Sequence, residues 1–317
     1  MNKRRNNIIQ LAILVALAAA VALPLILPRM TEARVVATPL ELSVILRDTD
    51  SSLWANARMG MEQAAAEHGV EMRFLTLTTQ GDCAEQEELL RREAEGNTDM
   101  LVIAPADTQR LSRQLRELVG QRTVVSVESE LEGAELSVLP DNAALGHALA
   151  QTAMEDWSGG TVLLLNTAPE SAGVLERLEA VRQTLAGHGV PVCEKTVKIS
   201  ELTGALHELV QESGAVQIMA FEPAASECAA AGKESAQLSQ PLYGVGSTTD
   251  IAAWLERGTI CAVAAWSEYA AGYLAVEGAA LTTRGETYKM EPLPFSIVRG
   301  EEIYDPDNQK LLFPVTY

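Results

Sequence analysis

Short, uninterrupted apolar runs recur along this chain, each followed by a stretch of helical periodicity, and no other feature constrains the fold as tightly. Glu41 to Leu46, Val70 to Leu77, Met100 to Ile103 and Thr123 to Val127 read as strands. Between them, Ser51 to His68 reads as a helix stopped by Gly69, and a second helix runs from Asp82 to Glu95 and is closed by Gly96. A third starts at Asp107 and ends near Val119. Asp82 and Glu85 have the spacing of a capping box. Strands with no polar alternation need cover on both faces, which a parallel sheet flanked by helices provides.

The same grammar restarts at Thr161. Strands are expected at Thr161 to Leu165, Val190 to Val197, Val216 to Ala220, Leu242 to Val245 and Ile260 to Ala264, with helices at Ser171 to Ala186, Glu201 to Glu212, Ala224 to Ser235 and Asp250 to Glu256. Two like-built, doubly wound α/β halves follow, and such sheets hold ligands at the carboxyl ends of their strands. Ser137 to Asp141 reads as a crossing strand and turn before a helix from Ala143 to Asp156. The helix Ala270 to Thr283 and a tail with two short strands, Met290 to Tyr317, complete the chain. Several passages between the halves make a hinge around a cleft.

Ile8 to Leu27 is an apolar run of about 20 residues, the length that crosses a bilayer core, preceded by Lys3, Arg4 and Arg5. Positive residues favour the cytoplasmic side, so everything after Pro28 is expected to be extracytoplasmic. Ala20 and Ala22 offer a signal-peptidase site that would release the protein, whereas apolar character persisting through Leu25 to Leu27 favours a retained anchor. The net charge of -19 repels nucleic-acid backbones, so no nucleic-acid partner is expected. Cys83, Cys193, Cys228 and Cys261 lack zinc-site spacing. The four histidines form no metal-ligand pair, Gly244-Val245-Gly246 lacks a third glycine, and no phosphate-cradling loop is present. Binding without catalysis, cofactor or metal is the expectation.

Asn97 to Asp107 reads Asn-Thr-Asp-Met-Leu-Val-Ile-Ala-Pro-Ala-Asp, an Asp, a strand, then Pro-x-Asp. Together with Gly60, the pair Asp141-Asn142 and Arg177, in that order, it resembles the type I periplasmic solute-binding proteins, the ribose- and galactose-binding group of the sugar ABC transporter family. The resemblance runs from Pro39 to Tyr317. It implies two doubly wound parallel-sheet lobes joined by a hinge, preceded by one N-terminal transmembrane or signal helix. Residues 1–38 would be anchor and linker, 39–141 plus 267–294 the first lobe, and 142–266 plus 295–317 the second. Repressors sharing the fold are excluded, because the leader stands where their DNA-binding helices would be. The implied function is an extracytoplasmic protein that closes on a small polar ligand, a sugar, and hands it to an ABC permease. A membrane-tethered co-receptor signalling to a sensor kinase and a carbohydrate-active hydrolase are the alternatives.

The resemblance also places candidate ligand contacts. The loop after the first strand would supply Asp50, Ser51 and Trp54, an indole suited to stacking on a sugar ring. Glu128 stands where the family carries an aspartate and can accept from two hydroxyls. Arg177 matches the family's arginine in register, its planar fork suited to clasping ligand oxygens. Glu222 replaces an asparagine and Trp266 a polar residue, while Ala104, Ser129 and Gly246 depart from the ribose pattern. Trp54 and Trp266 fit core packing equally well, and Glu128 also reads as a solvated loop acid beside Glu130 and Glu132. Two tryptophans, two glutamates and an arginine suit a polyhydroxylated or partly cationic molecule. Loss of binding is expected from Arg177→Ala and Trp54→Ala but not from Glu130→Ala.

Overall fold

The computed structural model describes residues 39–49 and 51–313. Leu40–Ile45 (β1), Val70–Leu75 (β2), Met100–Ile103 (β3), Thr123–Val127 (β4) and Leu136–Val138 (β5) form a five-stranded parallel sheet ordered β2-β1-β3-β4-β5. A 3-10 turn, Ser51–Trp54, leads into the helix Ala55–His68 (α1). Cys83–Glu95 (α2) and Thr108–Val119 (α3) complete the first run of helices. The second sheet contains Thr161–Asn166 (β6), Val192–Thr196 (β7), Ala215–Ala220 (β8), Leu242–Val245 (β9), Ala262–Trp266 (β10) and Phe295–Arg299 (β11). Its order is β11-β10-β9-β8-β6-β7, with only β11 antiparallel. The helices Asn142–Glu155 (α4), Ala172–Gly187 (α5), Ile199–Ser213 (α6), Pro223–Ser235 (α7) and Thr249–Glu256 (α8) belong to this half. Glu268–Thr283 (α9) returns to the first sheet, packing on α1 and on β3 to β5, and the short helix Pro306–Leu312 (α10) lies against β10.

Both faces of each sheet are covered. Ile45, Leu101, Ile103 and Val124 face Leu90, Leu111 and Leu115 of α2 and α3, while Val44, Val102 and Val125 face the α1 and α9 side. Leu163, Leu165, Ile218 and Ala220 pack likewise against α6 and α7. Burial on both faces is the physical reason these strands are apolar throughout. Gly60 and Gly272 let α1 and α9 cross nearly backbone to backbone. A β-carbon at Gly60 would overlap the Tyr269 carbonyl, and one at Gly272 the Ala57 carbonyl.

Local caps behave as side-chain chemistry dictates. Asp107 accepts from Arg110 N at 2.8 Å and Asp82 from Ala84 N and Glu85 N at 2.9 and 3.0 Å. The capping box is only half present, because the Glu85 carboxylate turns back to Thr78 N and Thr79 N and ties down the β2 to α2 loop. In the Asn97 to Asp107 motif, Asp99 accepts from Glu41 N at 2.9 Å. The Gln86 amide bonds Ala104 O and Ala106 N at 2.9 and 2.8 Å, fixing the loop after β3.

Three expectations need correction. The strand expected at Ile260 to Ala264 lies two residues later, because its register is set by Ala262 opposite Tyr243 and Trp266 opposite Phe295, while Ile260 turns back to bond Trp254 O. Ser137 to Asp141 is not a free crossing strand: Leu136–Val138 pairs with β4 as the edge of the first sheet, and the crossing follows it. The tail holds one strand, β11, plus a single bridge from Leu293 to Pro140, among the described residues. That bridge binds two inter-sheet segments together, with Leu293 N donating to Leu139 O at 3.0 Å. The apolar run Ile8 to Leu27 lies outside the described residues. Among the described residues no helix is long and apolar enough to cross a membrane.

Candidate functional site

Four strand ends meet between the sheets. Arg47 and Asp48 follow β1, Glu128 follows β4, Phe221 and Glu222 follow β8, and Ser267 and Glu268 follow Trp266 at the end of β10. Arg47, Asp48, Glu128, Glu222 and Glu268 border a cleft whose walls are Leu53, Trp54, Met61, Val127, Pro223 and Trp266. The cleft is thus apolar along its sides and ionic at one end, a division suited to a ligand with one polar edge and one apolar face.

Arg47 forms the ionic centre. Its Nη2 donates to Glu222 Oε2 at 2.6 Å and lies 3.0 Å from Glu128 Oε2, so one guanidinium joins carboxylates from both sheets. Burial disfavours its charge, but Glu128, Glu222 and Asp48 more than reverse that, and the guanidinium pKa is raised. Burial pushes the Glu222 carboxyl up, while Arg47 and the Thr167 hydroxyl, which donates to Glu222 Oε1, pull it down. Glu222 occupies the N-cap position of α7 without capping it, because its side chain turns into the cleft. Glu128 sits at φ 64°, strained for a residue with a β-carbon. Its carbonyl accepts from Asn142 Nδ2 at 3.3 Å, and Gly173 packs closely enough against it that a β-carbon would clash.

The two indoles are held differently. Trp54 Nε1 donates to Asp48 Oδ2 at 2.7 Å, and Gln80 Nε2 donates to Oδ1 at 2.6 Å, so Asp48 orients the ring. Trp266 is 4% exposed and its ring carries Arg177 behind it, with the guanidinium carbon 4.9 Å from the centroid. Arg177 itself is fully buried. Its Nε donates to Asn142 Oδ1 at 2.7 Å and its Nη1 to Phe221 O at 2.9 Å, and burial lowers its pKa.

Contacts beside the cleft also join the two sheets' loops. Ala172 N donates to Thr108 Oγ1 at 3.0 Å and Gly173 N to Ser129 Oγ at 2.9 Å, so hydroxyls from the first half satisfy the open amino end of α5. Ser171, at the N-cap position, makes no cap bond of its own. Asn56 Nδ2 reaches Ser247 O at 3.0 Å. At the mouth, Glu268 lines both the cleft and an adjoining recess formed with Asn56, Glu227, Thr248 and Asp250. Burial, assisted by Glu128, pushes its carboxyl up to about 8.

Of the residues singled out from sequence, Trp54, Glu128, Glu222 and Trp266 line one cleft. Arg177 lies behind its wall, where its fork is engaged by Asn142 and the Phe221 carbonyl. Ser51 opens the 3-10 turn, and Asp50 lies outside the described residues. Sequence reasoning missed Arg47, Asp48 and Glu268. A lone arginine straight after an apolar strand, in an acidic chain, was the available signal for the first. Glu268, at the start of a helix following a strand, gave none.

The sequence matches the model of the periplasmic binding protein domain over residues 42–287. No curated protein gives a significant match. A solute-binding protein of an ABC transporter from Agrobacterium vitis, bound with alpha-D-tagatopyranose, superposes with a TM-score of 0.78 at 17% identity, covering 87% of this chain and 100% of that one. A carbohydrate transporter solute-binding protein from Agrobacterium radiobacter, in complex with D-arabinose, gives 0.79 at 17% identity over 87% and 99%. The XylFII-LytSN complex gives 0.72 at 14% identity over 83% and 98%. At these identities the likeness speaks for the fold alone, whereas the family match spans most of the chain: this protein belongs to the periplasmic binding protein domain family.

Proposed function

We propose that the protein is an extracytoplasmic solute-binding protein that closes two lobes on a small polar ligand of the sugar class and presents it to an ABC-type importer. The observation that carries this reading is the cleft between the sheets, where indoles and carboxylates from both halves converge at strand ends. An indole stacks on the C–H face of a sugar ring while carboxylates accept from its hydroxyls. Trp54, Trp266, Glu128 and Glu222 are the proposed contacts, with Arg177 stacked on Trp266; Asp50 and Ser51 remain proposed contacts from sequence. The proposed lobes are residues 39–141 plus 267–294 and 142–266 plus 295–317. The packing of α9 on the first sheet and the pairing of β11 with β10 support that division. The sugars bound by the similarly folded Agrobacterium proteins support the ligand class. Closure is a population shift, since a ligand touching both lobes favours the form in which it can do so. The leader supports tethering on the outer face of the membrane.

A thermal-shift screen of the purified chain against sugars, polyols, nucleosides and amines tests the reading. A ligand at 100 times its dissociation constant stabilises by about 2.7 kcal/mol. Stabilisation by no sugar or polyol sinks the ligand class, and cleavage of labelled oligosaccharides would reinstate a hydrolase. The similarity to XylFII in its complex with LytSN favours a second reading, a tethered co-receptor for a sensor kinase. Ligand-dependent crosslinking to a kinase ectodomain supports it; loss of uptake on gene deletion, with signalling intact, counts against it.

A further inference from the structure

The cleft carries more acid than its one exposed-side cation can balance. Arg47 is already shared by Glu128 and Glu222, and Asp48 is held by Trp54 and Gln80. Arg177 stacks on Trp266, bonds Asn142 and does not line the cleft. Glu268 is hydrogen-bonded by Ser247 but, among the described residues, paired with no cation. It is 8% exposed, it borders both the cleft and the mouth recess, and its Oε2 is buried with no hydrogen-bond partner. A buried carboxyl oxygen without a partner costs roughly 1–3 kcal/mol, more if it is charged, so the arrangement favours a ligand that supplies a donor there. The charged groups around it are Glu128 from β4, Glu227 from α7, Asp250 from α8 and Arg47 and Asp48 from the end of β1. Four of these five are acids, and no lysine lines either space.

We infer that the ligand of this cleft carries a protonated amine, which docks on Glu268 Oε2 at the mouth while its body lies against Trp54 and Trp266. The inference rests on the solute-binding reading and narrows it to an amine-bearing solute, such as an amino sugar. A neutral sugar can meet Glu268 only through a hydroxyl and brings no positive charge to this acidic surround. An ammonium supplies three donors and the missing charge, and an indole face attracts it further. Because Glu268 holds its proton well above the usual carboxylate range, docking expels that proton. The balance is Glu268 carboxylic acid plus ammonium ligand giving a carboxylate-ammonium pair and one proton released to solvent.

The test is calorimetric titration of the full chain with matched pairs: glucosamine with glucose, galactosamine with galactose, and benzylamine with benzyl alcohol. At least one amine is expected to bind about tenfold or more tightly than its neutral partner, each tenfold corresponding to about 1.4 kcal/mol. At about pH 6.5, repeating the titration in buffers of different ionisation enthalpy should reveal release of close to one proton, a readout that needs no variant. Glu268→Gln should abolish both the preference and the proton release, with its fold checked by circular dichroism. Equal binding of amine and neutral partner, or no binding of any amine, overturns the inference, and if the neutral sugars bind, the solute-binding reading still stands. Binding of benzylamine but of no sugar upholds the inference and removes the sugar class instead.

Discussion

Arg47→Met is the most informative single change, because among the described residues it removes the cation that joins acids from both sheets. Arg47 is 4% exposed, and the substitution keeps its apolar stem while leaving Glu128 and Glu222 facing each other across the cleft. Removing one member of a buried pair costs about 3–5 kcal/mol, since the remaining charge stays buried without compensation. At roughly 2 °C per kcal/mol for a protein of this size, the midpoint of thermal unfolding should fall by about 6–10 °C near neutral pH. The loss must depend on pH. Without Arg47 the Glu222 carboxyl loses its strongest downward pull and rises further above its unfolded value. A group raised in the folded state stabilises fully below its unfolded pKa and loses that contribution as pH rises through the folded one, so the deficit should shrink toward acid. Arg47→Met combined with Glu222→Leu should recover most of the stability, as apolar replacement of a buried pair often does. Scanning calorimetry of the three proteins from acid to neutral pH reads all of this. A fall of less than about 2 °C, or a deficit that grows toward acid, refutes the assignment of Arg47 as the bridge.

Three further outcomes follow from the geometry. Glu268, raised to about 8 from 4.5, should make wild-type stability decline as pH rises toward and through 8, and Glu268→Gln should flatten that decline in urea unfolding; parallel profiles would contradict it. Gly60→Ala forces a methyl group onto the Tyr269 carbonyl at the α1–α9 crossing and should cost about 1–3 kcal/mol or more in urea midpoint, with no change expected from a group that had room. Arg177→Lys keeps the charge but loses the planar fork that bonds Asn142 and the Phe221 carbonyl, so stability should fall by about 3 kcal/mol and Trp266 fluorescence should shift. Weakened ligand binding at unchanged stability would instead return Arg177 to direct contact with ligand.

Much of the architecture is legible because its causes are local. Met100 to Ile103, Thr123 to Val127 and Leu242 to Val245 are strands with the bounds their apolar runs suggest, and Asp82 and Asp107 cap the helices they precede. Where boundaries moved, a distant partner moved them. β10 slid by two residues to meet β9 and β11, and Glu85 left its capping box for the backbone of Thr78 and Thr79. The motif residues Gly60, Asp141, Asn142 and Arg177 make contacts that no local pattern announced: a close helix crossing, a cap on α4, and a buried amide-guanidinium pair.

The amino-acid sequence alone determined the alternating elements, their caps and the family, since periodicity and capping act over a few neighbouring residues. Only the tertiary structure decided that Arg47 meets Glu222, 175 positions away, that Arg177 turns inward, and that Glu268 is left with an unpartnered oxygen at the mouth. An arginine or glutamate at a strand end looks the same on paper whether water or another half of the protein faces it. Its role is set by what burial takes away and which charge arrives in exchange, and both depend on how the two sheets come together.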